Sequence, residues 1–234
     1  MFPVTTVKWR KAYRIVPSRY PPIDLFERVA ADPAQWEMLA EIEMITNPRV
    51  RDEIGEISLV PADERISGPG AAWVMAPFTH LNPRGSRFSD GSYGVYYAAD
   101  RLATTVQETI YHMGLIYADS RDQSHDEDMR VLVGPINGGF RDLTKDREAA
   151  ATYLDANSYG QSQELGQQVR DAGGDGIFYP SVRNFGHPCV AAFRPKVVGI
   201  PVQDRHLNYH WNGREISRVF DYSADRWIAD DDFR

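Results

Sequence analysis

The stretch Gly85–Met113, GSRFSDGSYGVYYAADRLATTVQETIYHM, constrains this chain more than any other. Asp90, Gly91 and Gly94 are turn residues, and the β-branched and aromatic run behind them, Val95–Ala98, predicts a short strand. Asp100 stands where it can cap a following helix. In that helix Leu102, Val106, Ile110 and Met113 fall at i, i+4, i+8 and i+11, which makes one apolar stripe. Thr104, Glu108 and His112 lie four apart on a different, polar stripe. Glu108 is therefore not simply a core residue. An arginine from the loop (Arg87), a tyrosine from the strand (Tyr97) and this glutamate can converge at the strand–helix junction.

A chain of 234 residues, 42% hydrophobic and 25% charged, has the make-up of an ordinary globular protein. It shows no repeat, low-complexity tract or convincing linker, so one domain over 1–234 is expected. A net charge of −7 argues against general affinity for nucleic acid phosphates. The single cysteine, Cys189, excludes an internal disulfide and reads as a buried strand thiol. MFPVTTVKWRKAYRIV lacks an apolar signal core and no run approaches transmembrane length, so no membrane contact and a cytoplasmic location are expected.

Ala12–Val16 reads as a strand stopped by Pro17, with Arg14 inside it. An arginine in an apolar strand is costly to bury without an anionic partner. Pro21-Pro22 then breaks the chain, and 23–65 reads as a mainly helical, acidic insertion. Ala71–Ala76 looks strand-like, and Asp119–Asp128 looks like an exposed loop. His125, Asp126 and Asp128 lack a second ligand cluster at fixed spacing, so no metal is expected. Met129–Pro135 and Phe140–Leu143 predict two strands, Asp146–Asp171 a helix interrupted at Tyr159-Gly160, and Ile177–Tyr179, Val190–Phe193 and Val197–Pro201 further strands. Ile216–Trp227 predicts a strand pair. The sum is an α+β chain.

Phosphate-binding GxxxxGK, GxGxxG, HExxH, CxxC and GxSxG signatures are all missing. What remains is a distributed set: Tyr13-Arg14, Gly85-x-Arg87-Phe88, Tyr97 with Glu108 eleven residues on, and Gly176-Ile177…Pro180-Ser181-x-Arg183. In order and spacing, over roughly residues 10–200, this set resembles the RES domain, a family of bacterial toxins named for its Arg, Glu and Ser positions. The resemblance implies an ADP-ribosyltransferase-like fold, a split and bent mixed β-sheet with flanking helices and a cleft for NAD. It implies a toxin of a toxin–antitoxin pair that consumes NAD, as an ADP-ribosyltransferase acting on a protein acceptor or as an NAD glycohydrolase or phosphorylase. It also implies a partner, an Xre-like helix-turn-helix antitoxin that plugs the cleft.

Under that resemblance Arg14 and Arg87 would hold the NAD pyrophosphate as planar, permanently charged forks. Tyr97 would stack on nicotinamide or ribose. Glu108 would hold the ribose hydroxyls, stabilise oxocarbenium character at the ribose or help activate the acceptor. Ser181 would hydrogen-bond the ribose, the nicotinamide amide or Glu108, and His80, close to Arg87 in sequence, would touch the nucleotide. Here Gly85-Ser86-Arg87-Phe88-Ser89 departs from the GGRWN common in the family, and residues 15–86 separate the two arginines where many members need far fewer. The insertion favours a protein acceptor. A binding module that captures a nucleotide or peptide without chemistry is the reading from another class.

Overall fold

The structure is a computed structural model that describes residues 2–20 and 55–228. Its framework is an eight-stranded sheet: β1 (Val4–Pro17), β2 (Tyr96–Ala99), β3 (His125–Asp142), β4 (Gly176–Pro180), β5 (Pro188–Ala192), β6 (Val202–Trp211), β7 (Ile216–Asp221) and β8 (Arg226–Ile228). The spatial order is β1-β2-β5-β4-β3-β6-β7-β8, and β1 also pairs antiparallel with β3 along almost its whole length. The first five strands in that order thus close on themselves, which bends the sheet, while β6, β7 and β8 extend it beyond β3. Among the described strands only β3 and β4 pair in parallel, through Arg141↔Ile177 and Asp142↔Phe178.

Helices fill the two sides. The nine-residue helix α1 (Ala71–Thr79) packs into a core with Val7 and Ala12 of β1, Tyr96 and Ala98 of β2, and Val190 and Ala192 of β5. The long helix α2 (Leu102–Ser120) lays the expected stripe of Leu102, Val106, Ile110 and Met113 against Ile15, Met129, Val131, Leu207 and Tyr209. Arg121, in the left-handed region at φ 57°, ends it. After a single turn, α3 (Arg147–Ala150), the helix α4 (Gly160–Asp171) buries Leu165 and Val169 against Phe88, Ile177 and Tyr179. Among the described residues no helix is long and apolar enough to cross a membrane.

Several local expectations are corrected. Ala71–Ala76 is helix rather than strand. A short unbroken apolar run does not distinguish the two, and here nearly every residue of the turn is buried. The two strands expected over Met129–Leu143 are one, because β1 pairs straight across the glycine pair, Val7↔Gly138 and Thr6↔Gly139. Pro135 is tolerated inside it because it lies where the register shifts between Trp9 and Ala12, at a bulge that does not need its N–H. The polar run after α2 is a loop only over 121–124. From His125 the chain is strand, with Asp126 and Asp128 exposed and Glu127 and Met129 buried in alternation. Val197–Pro201 is not a strand: Pro195 opens a single 3-10 turn, and only Val198 bridges to Ile136. Of the insertion expected at 23–65, residues 23–54 lie outside the described residues. The described end carries two 3-10 turns, Ile57–Leu59 and Ala62–Glu64, with Glu64 paired to Arg194.

Candidate active site

The bend of the sheet brings β1, β2 and α2 around a cavity of about 420 Å³, a size ordinary for small-molecule sites. Arg14 on β1, Arg87 on the loop before β2, Tyr97 on β2 and Glu108 on α2 line it, and Ser181 reaches it by donating a hydrogen bond to Glu108. His80 is not brought there. It lies at the end of α1, exposed, with Nδ1 3.2 Å from the Ala76 carbonyl and 3.1 Å from Thr79 Oγ1.

Arg87 is displayed by a tight hairpin closed by Ser86 and Ser89, whose backbone groups exchange two hydrogen bonds. Gly85 makes the turn possible at φ 71°, where an added Cβ would stand 2.6 Å from the Ser89 carbonyl. Phe88, fully buried, anchors the hairpin against Tyr179 with ring centroids 4.9 Å apart. Three side chains hold its backbone. The Tyr97 hydroxyl accepts the Phe88 N–H at 3.0 Å and shares a 2.8 Å bond with Ser86 Oγ. Tyr93 donates to the Phe88 carbonyl, and Gln163 of α4 donates to the carbonyls of Ser86 and Ser89. Burial pushes the Tyr97 phenol up to about 12, so it stays protonated in this role. The Tyr97 hydroxyl is engaged in shaping the loop that carries Arg87, while the residue also lines the cavity.

The two arginines have spare charge. Arg14 donates to the Tyr97 carbonyl at 3.1 Å and stacks 4.7 Å over the Tyr96 ring; burial pulls its guanidinium below the ordinary range. Arg87, buried, donates to the Asp155 carbonyl at 2.8 Å and stacks 4.6 Å over Tyr159. Neither forms an ion pair with a carboxylate among the described residues. Two largely buried cations whose hydrogen-bond and ring partners among the described residues are neutral make a site that an anion would stabilise.

Glu108 is fixed from one side. Ser181 Oγ donates to its Oε1 at 2.6 Å while accepting the N–H groups of Arg183 and Asn184 at 3.1 and 2.9 Å. Asn184 in turn donates to Thr104 Oγ1, one turn before Glu108. The polar stripe of α2 thus docks on the turn after β4. Asp100 does not cap α2: Arg101 is the N-cap residue, without a side-chain cap bond, and Asp100 Oδ1 is buried without a partner. Cys189, on β5, is a buried strand thiol at the cavity wall, and burial pushes it well up, which leaves it a poor nucleophile.

Two tyrosines of the cavity wall, Tyr159 and Tyr179, were not singled out as site residues from the sequence. They line it from the α4 side and from β4. Beside the cavity, Arg183 of the motif after β4 lies 3.3 Å over the Tyr111 ring and donates to the Ala156 carbonyl. His112 faces Glu108, with Nε2 3.8 Å from Oε2. The fourfold spacing of Glu108 and His112 was readable in advance. The approach of 155–159 to Arg87 had no local signal.

The model for the RES domain matches residues 63–212. The chain belongs to the RES domain family. The matched stretch of the RES domain holds Arg87, Tyr97, Glu108, His112 and Ser181, while Arg14 lies ahead of it and joins the cavity through β1. The chain is 33% identical over 209 residues to the uncharacterized protein y4oC of Sinorhizobium fredii, covering 89% of this chain and 86% of that one. It is also similar to a chain in the crystal structure of the M. tuberculosis MbcT–MbcA toxin–antitoxin complex, at 11% identity and a TM-score of 0.44, over 89% of this chain and 87% of that one.

Proposed function

We propose that this RES-domain chain is the toxin of a toxin–antitoxin pair and that it consumes NAD, breaking the nicotinamide–ribose bond and transferring ADP-ribose to a protein acceptor. The observation that carries this reading is Glu108, held by Ser181 and facing a cavity whose two arginines, Arg14 and Arg87, lack a carboxylate partner among the described residues. The sheet closed by the β1–β3 pairing fits the split, bent sheet of the ADP-ribosyltransferase type.

The residue chemistry suits the reaction. The NAD pyrophosphate supplies the anion that Arg14 and Arg87 call for, in charge-assisted hydrogen bonds. With the dinucleotide so placed, the nicotinamide ribose lies against Glu108. Nicotinamide departs with the C–N electron pair and becomes neutral, so positive charge moves onto the ribose. A carboxylate already oriented at that point stabilises the charge without reorganising, which is the source of most catalytic electrostatics. Ser181 keeps Oε1 in place; Tyr97, Tyr93 and Gln163 keep Arg87 in place. No metal takes part.

The antitoxin, an Xre-like helix-turn-helix protein under this reading, blocks the cavity mouth. The exposed Leu115 and Ile116 at the cavity wall offer it an apolar foothold. Under this reading the protein works in the cytoplasm, where NAD and the antitoxin would meet it. Incubation of the protein with adenylate-labelled NAD and a bacterial extract tests the reaction. Label on a protein band is the expected result. Free ADP-ribose or its phosphate ester would instead make water or phosphate the acceptor, and intact NAD would overturn the enzyme reading in favour of a binding module.

A further inference from the structure

The reaction proposed above leaves one proton unassigned. When an acceptor hydroxyl attacks the anomeric carbon, a C–O bond forms as the C–N bond breaks. Nicotinamide takes the bonding electron pair and needs no proton, so the acceptor's proton must go to a base. Glu108 is poorly disposed to take it, because Oε1 already accepts from Ser181 and its charge is used against the ribose cation.

One helical turn further along α2, His112 forms part of the same cavity wall. Its Nε2 stands 3.8 Å from Glu108 Oε2, beyond hydrogen-bond range but close enough for one acceptor oxygen to lie against both. We propose that His112 is the general base that removes the acceptor's proton, a step that rests on the NAD-consuming reading. Its side chain is 46% exposed, so the proton it gains can pass on to solvent.

The surroundings of His112 suit that part. Glu108 faces it from α2 itself, Arg87 from the hairpin and Arg183 from the turn after β4, and the neighbouring Tyr111 ring lies edge-on at 5.2 Å. Partial desolvation at the half-exposed cavity wall, together with the positive charges of Arg87 and Arg183, outweighs the attraction of Glu108 and holds the imidazole below its ordinary 6.5. It is therefore neutral at neutral pH, with a lone pair available, and protonates only as the solution becomes acidic. Balance is complete: NAD and an alcohol or water give the ADP-ribosyl product, neutral nicotinamide and one proton, carried first by Nε2.

The test is nicotinamide release by the full chain, with bacterial extract present to supply acceptors, between about pH 5 and 8, for the wild type, His112→Gln and His112→Ala. The wild type is expected to lose rate on the acid side as His112 protonates. His112→Gln should lower kcat by about 100-fold with KM little changed and should flatten the acid limb. Added imidazole should restore part of the kcat of His112→Ala. A His112→Gln variant with wild-type kcat overturns the proposal. So does a variant that loses rate while keeping the acid limb and gaining nothing from imidazole, which would make His112 structural. A wild type that leaves NAD intact overturns the reaction itself and this step with it.

Discussion

Ser181 Oγ donates to Glu108 Oε1 across 2.6 Å, although the two residues are 73 positions apart in the chain. A serine hydroxyl has one proton and two lone pairs, and here all are committed: the proton to Glu108, the lone pairs to the N–H groups of Arg183 and Asn184. Ser181 is thus a positioning residue whose turn and whose carboxylate partner are fixed by the same oxygen.

Replacing it therefore acts twice. Ser181→Ala should lower nicotinamide release by about 10-fold or more through a loosened Glu108, and should destabilise the fold by about 1–3 kcal/mol through two orphaned backbone donors. Turnover and thermal melting measured on one preparation check both effects. An unchanged rate would mean that Glu108 needs no anchor.

Arg87→Lys keeps the charge but not the planar fork. A lysine cannot both stack on Tyr159 and present paired donors to a pyrophosphate. NAD affinity, read by calorimetry, should fall by about 10- to 100-fold, the scale of one charge-assisted hydrogen bond of about 1.5–3 kcal/mol. Equal affinity would place the pyrophosphate elsewhere.

Two glycines of the same helix should respond oppositely. At Gly166 an added Cβ would stand 2.1 Å from the Phe88 carbonyl, so Gly166→Ala must push the Arg87 hairpin away and should cost about 1–3 kcal/mol along with turnover. At Gly160 nothing lies within 4 Å, and alanine there should stabilise by about 0.4–1 kcal/mol and leave turnover alone. Urea unfolding of the two variants makes the comparison.

Asp142 ties β1 to β3 at one end of their ladder, beside the Val4↔Arg141 pair. Its carboxylate accepts from Thr5 of β1 and from Thr144 beyond β3. Burial pushes its pKa up, but the donors on Thr144 and Thr5 outweigh it and hold the group below its ordinary 3.8. A carboxyl depressed in the folded state contributes stability that is fully present above the unfolded value and is lost as pH falls through the folded one. Asp142→Asn should therefore melt at lower temperature than the wild type at neutral pH, with the gap closing below about pH 4. A gap independent of pH would remove the linkage.

The strand–helix unit was legible because its cues are local: turn glycines, an aromatic strand, a stripe at helical spacing and a glutamate off that stripe. The buried thiol of Cys189 was legible for the same reason. The continuity of β3 was not, because Pro135 and the Gly138-Gly139 pair read locally as a break, and only pairing with β1 overrides them. The helix at Ala71–Thr79 was hidden by its uniform apolarity, and Asp100 has the chemistry of a cap without the geometry of one.

Within the cavity, Arg87, Tyr97 and Glu108 were legible in the local pattern, while their joining with Arg14 and Ser181 into one NAD site came from the RES resemblance. His80 was nominated by its nearness to Arg87 in sequence, and the turn between them carries it away. Tyr159 and Gln163 could not be found in advance, since each meets the Arg87 hairpin across more than seventy positions of chain.

The most direct measurement is release of free nicotinamide from NAD by the wild type and by Glu108→Gln, with bacterial extract present to supply acceptors. Steady release by the wild type, lower by about 100-fold or more in the variant while both melt alike, is the expected result. Intact NAD with the wild type, or equal release by Glu108→Gln, would contradict the assignment of Glu108 as the centre of an NAD-consuming site.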